Sequence, residues 1–280
     1  MRLEFTKMHG CGNDYIYIDC FKQKIDNPNQ LAKTLSDRHF YVGSDGLIMI
    51  CPSEIADAKM RMFNADGSEG RMCGNAIRCV GKFLYDNGYC KSTTMHVDTL
   101  SGIKILYATL DEDGKVKELK VDMGKADLTP SVIPAITENE KMIDEEIEVL
   151  GEKYRVTAVS MGSAHCVCFV DDTEAFPLEK VGAAFENHER FPDRVNAEFV
   201  QVIDSNTLKM RVWERGSQET AACGTGSCAS VVAAVLNGYC NKGEDVTVLL
   251  RGGKLVINYT DERVYMTGEA VKVYDGVIEI

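Results

Sequence analysis

The sequence predicts a mixed α and β fold made of two similar halves. Three observations carry that reading. A Cys-Gly pair opens a helix-like stretch twice, in "EGRMCGNAIRCVGKF" (Glu69 to Phe83) and in "ETAACGTGSCASVVAA" (Glu219 to Ala234), with Cys73 and Cys223 separated by 150 residues. Other blocks recur in the same order at nearly the same spacing. Strand-like runs also outnumber helical ones, without the regular β-α alternation of a parallel doubly wound sheet.

Taken in order, "KMHGCGNDYIYIDC" (Lys7 to Cys20) matches "VSMGSAHCVCFVDD" (Val159 to Asp172): Met and Gly, a polar knot, then an apolar run closed by Asp. "TLSGIKILYATL" (Thr99 to Leu110) matches "LLRGGKLVINYT" (Leu249 to Thr260), and Gly102 and Gly252 again lie 150 residues apart. "LKVDMGKADL" (Leu119 to Leu128) resembles "RVYMTGEAVKV" (Arg263 to Val273). The runs "YIYIDC", "GLIMIC", "MRMFNA", "IKILYATL" and "KELKVDM" are β-branched or aromatic, bounded by Gly, Asp and Asn, and read as strands. "NPNQLAKTLSDRH" and "GNAIRCVGKFLYDNG" have helical spacing, the latter closing on Asn-Gly, and "SCASVVAAVLNGYCN" repeats it. "TPSVIPAITENEKMIDEEIEV" is rich in Pro and acid and reads as the connection. The halves are placed at residues 1–125, carrying Cys73, and 126–269, carrying Cys223, with 270–280 returning to the first.

Composition narrows the function. The 280 residues contain 43 acidic and 31 basic side chains, a net charge of −12. No Lys/Arg cluster offers the basic face that a nucleic-acid binder needs. No apolar run reaches the length of a membrane span. The opening "MRLEFTKMHG" lacks the basic and apolar regions of an export signal. With eleven cysteines and no such signal, the expectation is a cytoplasmic protein in a reducing compartment, not a disulfide framework. "HCVC" (His165 to Cys168) alternates with apolar residues like a buried strand, so no metal site is assigned.

Two cysteines at helix starts suggest acid–base chemistry. A helix N-terminus offers unpaired N–H groups and the positive end of the dipole. A cysteine there is expected to have its thiolate favoured and its pKa lowered. The same N–H groups, with glycine allowing close approach, bind a carboxylate. Two such starts suit the inversion of an amino acid at Cα. A thiolate removes the proton on one face and a thiol returns one on the other. The N–H groups stabilise the enolate-like charge on the carboxylate, so no pyridoxal or other cofactor is expected. "CGTGSCA" also admits a dinucleotide-loop reading, but the polar "ERGSQETAA" before it is unlike the buried strand that fingerprint requires.

The motifs "KMHGCGNDY", "FNADGSEGRMCGNAIRC", "SMGSAHCV", "HERFPDRVNAEFV", "ERGSQETAACGTGSCA" and "YMTGEA" cover almost the whole chain. Together they resemble the diaminopimelate epimerase family, cofactor-independent enzymes of lysine and peptidoglycan-precursor synthesis. The resemblance implies two pseudo-symmetric domains, each a barrel-like sheet around a central helix, with the active site in the inter-domain cleft. It implies Cys73 and Cys223 as the catalytic pair. Gly74, Asn75, Gly224 and Thr225 resemble the helix-start groups that hold the reacting carboxylate. Asn13, Asn64, Asn196 and Arg215 resemble groups reading the far end of the substrate, and His165 and Glu214 resemble polar partners of the reacting amino group. The resemblance also implies a homodimer acting on a small amino acid, with no nucleic-acid or membrane partner.

In one place the chain departs from that pattern. Ser163-Ala164 stand where the family usually has Asn-Pro before its His. A shorter hydroxyl replaces an amide, so the distal contact is expected to be lost or water-mediated. The inversion chemistry is untouched, but the substrate stays open between diaminopimelate and another amino acid such as histidine, which relatives with the same two-cysteine site racemise.

Overall fold

The structure is a computed structural model and describes residues 2–280. The chain divides into two compact units, one running to Asp122 and including Thr267–Ile280, the other spanning Met123–Met266.

The first unit is built from β1 (Arg2–Gly10), β2 (Asn13–Asp19), α1 (Pro28–Ser36), β3 (Gly46–Cys51), β4 (Ala58–Asn64) and the two-residue β5 (Glu69–Gly70). It continues through α2 (Gly74–Asp86), β6 (Thr94–Asp98), β7 (Lys104–Leu110) and β8 (Val116–Gly124). β1 pairs antiparallel with β2, β2 parallel with β3, and β3 antiparallel with β4, while β4 also pairs parallel with β6. Ile16, Tyr17 and Ile18 in β2, and Leu47, Ile48 and Ile50 in β3, are all fully buried. Consecutive buried residues mean that both faces of these central strands are covered, which is why their sequence reads as a continuous apolar run.

The second unit repeats this order. β9 (Glu145–Val149) precedes it, and then come β10 (Glu152–Ser160), β11 (Ala164–Phe169), α3 (Leu178–Glu186), β12 (Asn196–Asp204) and β13 (Thr207–Glu214). β14 (Gln218–Glu219), α4 (Gly224–Leu236), β15 (Asp245–Leu250), β16 (Gly253–Tyr259) and β17 (Val264–Glu269) complete it. The pairing repeats as well: β10 with β11 antiparallel, β11 with β12 parallel, β12 with β13 antiparallel, β13 with β15 parallel. β1, β10, α1, α3, α2 and α4 begin at positions 2, 152, 28, 178, 74 and 224, so the 150-residue repeat read in the sequence is a repeat of the fold. The last strand, β18 (Val271–Glu279), pairs antiparallel with β1 in the first unit.

Each unit wraps its sheet around one helix. An amphipathic surface helix buries one stripe, but α2 buries every residue from Gly74 to Gly81, and α4 is buried on all sides along most of its length. The fit is tight: a Cβ added at Gly81 would lie 2.4 Å from Leu119 Cδ2 and 2.7 Å from Leu106 Cδ2. Both helices stop by the same device. Asn87 Nδ2 donates to the Phe83 carbonyl and Asn237 Nδ2 to that of Ala233, each at 2.8 Å, and Gly88 and Gly238 follow with φ near 77°. That left-handed turn is what the Asn-Gly pairs supply.

The stretch read as a connection is partly structural. β9 lies within it and pairs with β10, while Ile133, Met142, Ile147 and Val149 join the core of the second unit beside Phe185 and Phe199. Its polar composition belongs to the exposed positions between those anchors. No helix among the described residues is long and apolar enough to cross a membrane.

Candidate active site

In the first unit the residues singled out from sequence gather around the start of α2. Cys73 is its N-cap, with extended φ and ψ of −126° and 123°. Its Sγ donates to Asn13 Oδ1 at 3.2 Å, and Asn13 Nδ2 donates to Asp45 Oδ2 at 2.7 Å. The Asp45 carbonyl accepts from Ala65 N at 3.1 Å, which ties the end of β4 to the same loop, beside Asn64. Asn64 itself donates to Ser68 Oγ at 2.9 Å. Gly74 and Asn75 form the first turn, held by the buried Arg78, whose guanidinium donates to the Gly74 carbonyl and to Asn75 Oδ1, both at 3.0 Å. β1 presses against this turn at Gly10, where a Cβ would sit 2.9 Å from Arg78 Nη2 and 3.0 Å from the Asn75 carbonyl.

The second unit holds the matching group at the start of α4. Cys223, again an extended N-cap, accepts from Gly226 N at 3.3 Å and lies 3.5 Å from Thr225 Oγ1. Thr220 Oγ1 donates to Glu214 Oε1 at the end of β13. Asn196 Oδ1 accepts from Arg215 N at 2.9 Å, while the Arg215 guanidinium donates to the Asp193 carbonyl at 3.0 Å. Just before β11, Ser163 Oγ is 2.9 Å from Nε2 of His165 on that strand, and His165 Nδ1 is 2.7 Å from Glu198 Oε1. Ser163, His165, Asn196, Glu214, Arg215, Cys223, Gly224 and Thr225 therefore belong to one unit, and Asn13, Asn64, Cys73, Gly74 and Asn75 to the other.

One electrostatic expectation is reversed. A helix start should lower the pKa of its cysteine, yet at Cys223 burial, then the Glu214 and Glu198 carboxyls, push the thiol well above its ordinary value. The hydrogen bonds from Thr225 and Gly226 work the other way and are outweighed. Loss of water around a charged sulfur, with two acidic side chains close by, exceeds what a partial helix charge returns. In this environment the protonated thiol of Cys223 is favoured over the thiolate.

The profile of the diaminopimelate epimerase family matches residues 5–129 and 157–273, spanning both cysteines. The diaminopimelate epimerase of Methanococcus maripaludis is 55% identical, over 99% of this chain and 100% of its own length. That of Acetivibrio thermocellus is also 55% identical, over 99% of both chains. The chain belongs to the diaminopimelate epimerase family. The fold extends further: a hydroxyproline epimerase from Agrobacterium vitis superposes with a TM-score of 0.72 at 14% identity, over 99% of this chain and 91% of that one. A phenazine biosynthesis protein of the PhzF family from Bacillus anthracis gives 0.72 at 14% identity over the whole of both chains.

Three residues of this diaminopimelate epimerase relative escaped the sequence reading: Asp45, Arg78 and Glu198. Arg78 left a trace, a charge inside the apolar "NAIRCV" of a helix; it is fully buried. Asp45 and Glu198 left none, because their partners Asn13 and His165 lie 32 and 33 residues away.

Proposed function

We propose that this chain converts LL-diaminopimelate to meso-diaminopimelate without a cofactor, with Cys73 and Cys223 as the two acid–base groups. The observation that supports it most is the pair of fold-equivalent, largely buried helices that each begin at a Cys-Gly step, in a chain more than half identical to proteins named diaminopimelate epimerase. A thiolate takes the α-proton, and the electron pair left on carbon spreads into the α-carboxylate. The opposing thiol then gives its proton to the other face of the carbon. The two sulfurs end with their charge states exchanged, and the atoms balance. Backbone N–H groups at Gly74–Asn75 and Gly224–Thr225 hold the carboxylate as its charge grows. The raised pKa of Cys223 makes it the proton donor of the resting enzyme. Arg215, Asn196, Asn64 and Asn13 are assigned to the non-reacting end and Glu214 to the reacting amino group; His165, fully buried with its ring nitrogens facing Ser163 and Glu198, acts through those neighbours rather than on the substrate itself. The same reading takes the working enzyme as a cytoplasmic homodimer, by likeness to the family.

The test is proton exchange at Cα in deuterated water. Diaminopimelate should incorporate deuterium at the inverted centre, while histidine and proline should not. Exchange into histidine in preference to diaminopimelate would move the assignment to another racemase.

A further inference from the structure

The contact between Ser163, His165 and Glu198 has a direction, and burial fixes it. The His165 and Glu198 side chains are both 0% exposed. Glu198 Oε1 meets His165 Nδ1, and Glu198 Oε2 is the buried side-chain oxygen left without a partner among the described residues. Around Glu198, His165 favours its charge and Glu214 opposes it, while Cys223 and Cys166 are thiols that feel it. Burial itself pushes the Glu198 carboxyl up.

The protons can then be counted. With one proton, the pair is a carboxylate and a neutral imidazole: a net negative charge with an orphan oxygen, out of water and facing Glu214. Burial without a compensating partner strongly disfavours such a charge. With two protons the pair is neutral as a unit. One proton sits between Nδ1 and Oε1, on either atom, and the other must be on Nε2, because both ways of dividing the shared proton leave it there. Nε2–H then donates to Ser163 Oγ, so the hydrogen of Ser163 itself is turned away from His165.

We propose that Glu198 is a positioning residue which, acting through His165, holds the Ser163 hydroxyl as a hydrogen-bond donor for the substrate's second, non-reacting carboxylate. The naming of that carboxylate rests on diaminopimelate being the substrate; the direction of the chain does not. The duplication sharpens the point. At the equivalent places of the first unit stand Asn13, Tyr15 and Ile48, so that unit cannot build such a chain. There Asn13 accepts from Cys73 instead. The two units therefore differ at this place, and in the second Ser163 supplies a hydroxyl donor.

The decisive measurement is nitrogen-15 NMR of histidine-labelled enzyme, with the His165 signals assigned by their loss in His165→Gln. A protonated Nε2 at neutral pH is expected; an unprotonated Nε2 overturns the proposal, whatever the substrate proves to be. Kinetics give the second arm. Ser163→Ala should raise KM for diaminopimelate roughly tenfold, the loss of one hydrogen bond to a charged group, with kcat changed less. It should leave inhibition by lysine, which lacks the second carboxylate, unchanged. Glu198→Gln, a neutral group able to donate to Nδ1, should keep KM near that of the natural enzyme, whereas Glu198→Ala should raise it like Ser163→Ala. Equal weakening of lysine and diaminopimelate, or failure of the Gln variant to rescue KM, would overturn it. Absence of diaminopimelate turnover in the natural enzyme would refute the proposed function while leaving the NMR result to decide the chain's direction.

Discussion

Replacing Gly226 with alanine places one methyl group at a crowded point of the second unit, against Glu198 and Cys223. Alanine in a helix is ordinarily more stable than glycine by about 0.5–1 kcal/mol. Here the added Cβ would lie 2.7 Å from Glu198 Oε1 and 3.2 Å from both Cβ and Sγ of Cys223. Glu198 cannot retreat without disturbing its 2.7 Å contact with His165. Overpacking of this kind costs about 1–3 kcal/mol. The net effect is a loss of roughly 1 kcal/mol, taking the middle of that range less the helix gain. Displacement of Cys223 Sγ by a few tenths of an ångström should lower the rate of inversion by about ten- to a hundredfold. The first unit supplies the control, for the equivalent positions hold Ala76 and Ile48. Gly226→Ala combined with Glu198→Ile grafts that pair, and should recover stability over Gly226→Ala alone while activity stays low. Thermal unfolding and Cα deuterium exchange measure the two effects. A Gly226→Ala enzyme with natural stability and natural rate would refute the claim that this space is required.

Cys73→Ala and Cys223→Ala should each abolish inversion and leave the circular dichroism spectrum unchanged, since neither thiol can serve both faces; full activity in either would sink the two-base assignment. Alkylation of Cys223 by iodoacetamide, followed by peptide mapping, should be slow at neutral pH and keep accelerating above its ordinary value of 9.0. The sign follows from the raised pKa: the thiol form persists to higher pH, and a rate levelling off near neutrality would contradict it. Arg78→Met should destabilise the first unit by roughly 2–4 kcal/mol, read by chemical denaturation, because the acceptors at Gly74 and Asn75 lose a buried donor. Arg215→Lys keeps the charge but loses the planar fork, so KM for diaminopimelate should rise more than kcat falls; an unchanged KM would remove Arg215 from the binding of the far end.

Much of this molecule is written in short-range pattern. The β-branched runs became β2, β3, β4, β7 and β8, the Asn-Gly pairs ended α2 and α4, and the 150-residue repeat proved to be a repeat of strands, helices and pairing. Such features depend on neighbours a few residues apart, so sequence alone determines them. The placing of a Cys-Gly step at both helix starts is of the same kind. What tertiary structure decided depends on residues far apart in the chain. The polar stretch before β10 became core only because Ile133, Met142 and Ile147 found an apolar surface to cover. Cys223 sits at a helix start that favours the thiolate, and only its burial beside Glu198 and Glu214 reversed that preference. Glu198 shows the division most clearly. In sequence it is one acid in a strand that reads "NAEFV"; folded, it lies against an imidazole from another strand and the first turn of a helix. Charge and dielectric are properties of the space around a group, and that space is assembled only when distant segments meet.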